Sequence, residues 1–399
     1  MARTARDAGR DTGRRLRGVD AARGVALLGM MSVHVMPAVG DDGGTTTAHL
    51  LMSGRAAALF AVLAGVGLAL ATGGTRPPSG LELKAARRAL VARAGIVAFV
   101  GCTLGLVETP AAIILVYYGV FFVVVLPFLG LRLRVLVVLA VGAAVVVPVL
   151  SHLARQVLDP PTRTNPTFDA LEHPGRLLSE LTLTGYYPAL PWLAYLLTGL
   201  AVGRLVLRSS RVAVGLVGVG LALAVGAKAL SWLLLHPLGG LDRLATAVPP
   251  GSSVETYGLD RSLEIGLFGT TPTTSWWWLG VSAPHASTAL DLAHTTGTSL
   301  AVLGVALLVS RVVRLPLPPL AAAGSMTLTL YSLHVVALGQ GWGPDDPTTL
   351  LVVHAAIALV VASLWRPLVG RGPLEALAAA ADRSARAKVT AAHDSSQDV

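Results

Sequence analysis

Long apolar blocks alternate with short polar breaks along the whole chain. Blocks of about 20 residues fall near 21–39, 50–72, 89–107, 111–130, 133–153, 187–207, 212–235, 290–310, 318–340 and 348–365, each bounded by a charged or Pro/Gly-rich segment. An α-helix of that length crosses the hydrocarbon core of a bilayer. The pattern therefore predicts an all-α fold, a polytopic transmembrane helical bundle of about ten spans with two longer outer loops, 155–185 and 236–289. Residues 1–18 read as a basic cytoplasmic tail without an apolar core, expected to be disordered. Residues 19–376 form the membrane domain, and 377–399 read as an Ala-rich polar cytoplasmic tail. The first apolar block opens with Asp20 and Arg23 and lacks a small-residue cleavage pattern, which argues against a cleavable signal peptide.

Composition supports a membrane protein over a soluble enzyme. Hydrophobic residues make up 53% of the 399 and charged residues only 13%, about half the charged fraction of a soluble domain. The net charge of +9 would point to nucleic acid if the cations shared one soluble face. They do not. Most of the 31 Lys and Arg fall in alternate loops and at the adjoining span ends, which obeys the positive-inside rule if both termini are cytoplasmic. The basic excess thus reports topology, with anionic lipid of the inner leaflet as a partner and no nucleic acid. The single cysteine, Cys102, lies inside an apolar block, so neither a disulfide framework nor a thiolate metal site is available. Arg far outnumbers Lys, and Ala, Gly and Val are abundant, a composition that suggests a GC-rich bacterial genome and a bacterial cytoplasmic membrane.

Candidate chemistry concentrates in the first block, RGVDAARGVALLGMMSVHVMP. Between Ala21 and Val39 the strongly polar side chains are Arg23 and His34. A step of 11 residues closes about three helical turns, so both project from one face, roughly 16 Å apart along the axis. Ionisable residues inside a membrane are costly and read as functional, and imidazole can take and return a proton near neutral pH. Asp20 suits a helix cap that orients Arg23. Arg55, near the outer end of the second block, could bind an anionic group or snorkel to the interface. Trp276, Trp277 and Trp278 suit an interfacial anchor first and a sugar-stacking platform second.

Nearly all of the ten histidines lie toward the outer side in this topology: His34, His49, His152, His173, His236, His285, His294, His334 and His354. Their spacing matches no metal motif, and no metal is expected. Most suit structural roles. His34 stands apart through its depth and its matched arginine, and His49, which opens the second block, comes next.

The stretch VDAARGVALLGMMSVH at 19–34 resembles the first helix of membrane acyltransferases, with Arg, ten intervening residues and His. More of the chain is similar to bacterial proteins of the heparan-alpha-glucosaminide N-acetyltransferase catalytic-domain-like family. The resembling pieces are VDAARGVALLG (19–29), LFAVLAGVGLAL (59–70), YPALPWLAYLLTGLAVGR (187–204), APHAST (283–288, containing His285), MTLTLYSLHV (326–335) and RGPLEAL (371–377). The resemblance implies transfer of an acetyl group from cytoplasmic acetyl-CoA to a glycan or amino-sugar acceptor of the cell envelope, through a histidine that is acylated or acts as base. In the glucosaminide acetyltransferases the first helix has Asn where this chain has His34, and the active histidine lies in the following outer loop, which puts His49 beside His34 as a catalytic candidate. Arg23, Arg17 and the helix N-terminus at Asp20–Ala22 would meet the phosphates of the acetyl-CoA donor. Arg55, Trp277 and His285 are the candidates for the acceptor side, and a homodimer is allowed.

Two rival functions fit the apolar bundle. A transporter of a small polar solute or envelope precursor would use Arg55, Lys228, His334 and His34 as a pathway, although no clear internal repeat or pair of broken helices is visible. A non-enzymatic scaffold leaves the intramembrane ionisable residues unexplained.

Overall fold

The structure, a computed structural model, describes residues 16–312 and 317–397. Residues 1–15 of the basic tail lie outside the described residues. Among those described the fold is all helical, with one isolated bridge between Val39 and Thr45. In chain order the main helices are α1 (Arg17–Val35), α2 (Arg55–Ala71), α3 (Gly80–Gly105), α4 (Leu115–Val124), α5 (Leu133–Ala154), α6 (Ala189–Gly203), α7 (Ser210–Leu235), α8 (Ala289–Val312), α9 (Leu317–Gly324), α10 (Thr327–Gly339), α11 (Pro347–Leu368) and α12 (Pro373–Gln397).

Each apolar block finds a helix, but the count of about ten spans is not met by length and apolarity. Six helical segments are long and apolar enough: Thr47–Ala71, α3, α5, α7, α8 and α11. A seventh arises if α9 and α10 are taken together, yet they meet at 83° across Ser325 and Met326. Two further blocks shrink, to 10 residues in α4 and 15 in α6. The first block falls out because Asp20, Arg23 and His34 dilute its apolar face.

α1 begins a turn earlier than its apolar pattern. Leu16 occupies the cap position with no side-chain hydrogen bond, so Asp20 does not cap the helix. It lies in the first turn and pairs with Arg23 at 3.3 Å. Small residues set the tightest helix contacts. A Cβ on Gly199 of α6 would lie 2.0 Å from the Val62 carbonyl oxygen of α2, and one on Gly324 of α9 would lie 1.7 Å from that of Asp20, so glycine is required at both crossings. The main core runs through α1, α2, α4 and α6, where Leu27, Ala58, Phe121 and Leu196 are fully buried. The 377–397 segment is no loose tail: α12 packs along α3, and Arg93 forms a two-pronged ion pair with Asp382. Both long loops sit at the same end of the bundle, since Arg155 and Arg163 reach Thr271 and Ser253, and Ser53 donates to the Ile265 carbonyl. The 236–289 loop builds its own small apolar cluster around Trp278, Leu244 and Val254.

Candidate active site

A cavity of about 520 Å³ opens between α1, α2, α3, α4, α10 and α12. Its rim carries Arg23, Arg93, Arg371, Arg383 and Arg386 together with Asp382 and Glu375. Met30, Phe60, Tyr118 and Tyr331 line its interior. Arg23 and Met30 lie on the same helix, seven residues or about 10 Å apart, so the cavity runs along α1 from charge into apolar surface. Both acidic groups on the rim are spoken for. Asp382 pairs with Arg93, and Glu375 accepts from the backbone N–H of Leu328 and Thr329 and from the Thr329 hydroxyl, capping the broken start of α10. The remaining charge is cationic and suits phosphate. Arg23 is held in place by Asp20 and by donation to the Leu63 carbonyl at 3.3 Å. Deep in the cavity the Tyr118 hydroxyl is buried without a hydrogen-bond partner, a donor ready for a carbonyl or thioester oxygen.

His34 lies one turn beyond Met30, with its ring 6.1 Å from that of Tyr331, so it stands next to the inner wall of the cavity. It is half-buried. Its Nδ1 is 3.3 Å from Nε2 of His334, whose Nδ1 is 2.9 Å from Nδ1 of His354. His354 ends the chain at the Trp342 carbonyl, 3.2 Å away. These rings form a line rather than converging, and no group of His, Cys, Asp or Glu among the described residues has the geometry to hold a metal ion.

His49 follows on the same side of the bundle. Its Nε2 donates to the Met36 carbonyl at 3.1 Å, which leaves Nδ1 as a buried lone pair without a partner. His285 stacks on Trp192 and meets Tyr187 edge-on, in a left-handed backbone conformation at φ 55°. Burial, with a smaller contribution from the charge of His49, pushes the His285 imidazole down to about 4. His34, His49 and His285 thus occupy one neighbourhood.

The other sequence candidates lie elsewhere. Arg17 is exposed at the first position of α1 and does not line the cavity. Arg55 donates from Nε to Nε2 of His294 at 3.1 Å and to the Leu50 carbonyl at 2.6 Å, inside a second polar cluster with Asp291 and Lys228. Trp277 packs beside Gly240 with the Arg243 guanidinium 5.4 Å from its ring, in the loop cluster and off the cavity. Trp276 is exposed and packs tilted against the His152 ring, while Trp278 is fully buried. Sequence reasoning did not select Tyr118, Tyr331, His354 or the α12 arginines. Tyr331 could have been found by its i to i+3 spacing from His334, which places both on one face of α10.

A family model described as heparan-alpha-glucosaminide N-acetyltransferase, catalytic, matches residues 15–238, more than half of the chain. The match covers Arg23, His34, His49, Arg55, Arg93 and Tyr118 and ends before His285, His334, His354 and α12. No curated protein matches the chain.

Proposed function

Because the chain belongs to the heparan-alpha-glucosaminide N-acetyltransferase catalytic family, a family of membrane acetyltransferases, we propose that it moves an acetyl group from acetyl-CoA to a sugar or amino-sugar acceptor across the bundle. The observation that carries this reading is the cavity with a cationic rim and an apolar interior, one of whose lining residues, Tyr331, has the His34 ring 6.1 Å away. Its volume is that of a small-molecule site. The rim arginines would hold the nucleotide phosphates, and the apolar passage suits the pantetheine arm with the thioester at its tip. The rim end faces the cytoplasm in this reading. Both α12 and the start of α1 lie there, in accord with two cytoplasmic termini and with acceptor binding at the end bearing the long loops.

Acyl transfer needs a base, or a nucleophile that divides the step in two, and an imidazole lone pair serves either role. As base, His34 takes the proton of the acceptor hydroxyl or amine while the new bond to the acyl carbon forms and the C–S bond breaks. The same proton then passes to the thiolate. The Tyr118 hydroxyl, buried without a partner, would donate to the acyl oxygen as negative charge develops on it.

The test uses purified protein in nanodiscs. Acetyl-CoA should bind by isothermal titration, and acetyl should transfer to an amino-sugar acceptor. His34→Gln should lower turnover about 100-fold or more, as loss of a general base does. His49→Gln is the companion variant. If it abolishes transfer while His34→Gln does not, the chemistry belongs to His49. Absence of both acetyl-CoA binding and transfer would sink the reading in favour of a transporter.

A further inference from the structure

The three histidines that join α1, α10 and α11 admit one assignment of protons when all three rings are neutral. The Trp342 carbonyl can only accept, so Nε2 of His354 carries its hydrogen. A neutral imidazole has one N–H, which makes Nδ1 of His354 an acceptor. The atom facing it at 2.9 Å is Nδ1 of His334, which must therefore donate. Nε2 of His334 is then a lone pair, and Nδ1 of His34 at 3.3 Å donates to it. Nε2 of His34 is left unprotonated. It has no hydrogen-bond partner among the described residues, and no acidic side chain bonds to any of the three rings that would favour an added proton. Burial fits this order. His334 and His354 are 3% and 8% exposed, whereas His34 keeps open surface.

We infer that His334 and His354 are positioning residues that hold His34 in its Nδ1–H tautomer, so that Nε2 is presented as a fixed lone pair for proton or acyl transfer. The inference rests on the acetyltransferase reading for its use, but the tautomer itself does not. An unsupported imidazole in water exchanges between two tautomers and rotates about its side-chain bonds. Here the chain of rings, anchored on the carbonyl of a loop residue, removes both freedoms. During transfer, the His34 Nδ1–H bond to His334 would keep the imidazolium oriented while its Nε2 proton moves on to the thiolate, with no outside reactant needed. His34 touches the reacting atoms; His334 and His354 act through it.

The experiment is nitrogen NMR on full-length protein in nanodiscs, labelled with ¹⁵N in the histidine rings, with the His34 signals identified by their loss in His34→Gln. The expected spectrum shows His34 protonated at Nδ1 and bare at Nε2. His334→Phe should turn that into a mixture of tautomers and lower kcat about 10- to 100-fold, since a wrongly set tautomer disables a general base. The KM for acetyl-CoA should stay within about twofold, because the donor cavity is untouched. His334→Gln should restore both signals and turnover, because its amide can accept from His34 and donate to His354. A wild-type His34 protonated at Nε2 would overturn the inference, and so would unchanged His34 signals in folded His334→Phe. Should His334→Phe not fold, the wild-type spectrum decides alone. If the expected tautomer is seen but no acetyl transfer occurs, the function fails while the hydrogen-bonded chain stands.

Discussion

The polar cluster around Asp291 and the line of histidines ending at His34 are built on opposite plans. Around Asp291 the charged and imidazole side chains all find partners. Arg55 donates to His294 and Leu50, His294 donates from Nδ1 to the Ala224 carbonyl, Lys228 donates to the Ser282 carbonyl at 2.7 Å, and Asp291 accepts from the Ser287 N–H at 2.9 Å. The line from Trp342 through His354 and His334 to His34 is closed at one end only, and its open end is a nitrogen on a half-buried ring. A closed cluster joins helices: His294 of α8 bonds to Arg55 of α2 and to Ala224 of α7, and Lys228 of α7 bonds to the segment before α8. An open line leaves one imidazole nitrogen without a hydrogen-bond partner among the described residues. The transporter reading places Arg55, Lys228, His334 and His34 on one path, whereas the structure divides them between the two clusters.

The contrast can be broken most severely at the closed cluster. Asp291→Ala leaves the buried Ser287 N–H without its acceptor and removes the carboxylate near Arg55 and Lys228, and should cost about 1–3 kcal/mol, read as a fall in the thermal unfolding midpoint and in folded yield. Asp291→Asn, which keeps the Ser287 contact, should cost less. The reverse pattern is expected at the open line, where His34→Gln loses about 100-fold in turnover with its unfolding midpoint close to wild type. A comparable loss of stability there would make His34 a strut. A smaller effect belongs to the cavity rim: Arg23→Ala should weaken acetyl-CoA binding about tenfold by titration, a charge-assisted contact to phosphate being worth that much, with the fold intact. Unchanged affinity would leave Arg23 as an anchor paired to Asp20. The mildest expected signal comes from His285, whose lowered value means that the unfolded chain takes up a proton where the folded one does not. Stability should therefore decline as pH falls from about 6.5 toward about 4, and His285→Gln should flatten that decline in unfolding midpoints.

Much of this architecture was legible in the sequence because apolar period and block length are local properties. All the blocks that the pattern marks carry helices, and the Arg23 to His34 register holds because both sit on one unbroken helix. What the pattern could not show was interruption and partnership. Gly324, Ser325 and Met326 are no more polar than their surroundings, so 318–340 reads as continuous although the chain turns sharply there. His334 and His354 are separated from His34 by 300 residues or more, and their alignment depends on how α10 and α11 cross α1. The Ala-rich segment after 376 reads as a tail because its apolar face is built of alanines, yet Ala378 and Val389 are buried and the helix closes one wall of the cavity.

The capping of α10 by Glu375 also makes a C-terminal helix part of the cavity's construction. Glu375 follows the apolar helices α1–α11 in the sequence, yet it supplies the N-terminal cap of the half-helix that carries Tyr331 and His334, while Asp382, Arg383 and Arg386 on the same helix line the cavity. The cavity wall and the cap of α10 are therefore both completed only when α12 settles along α3.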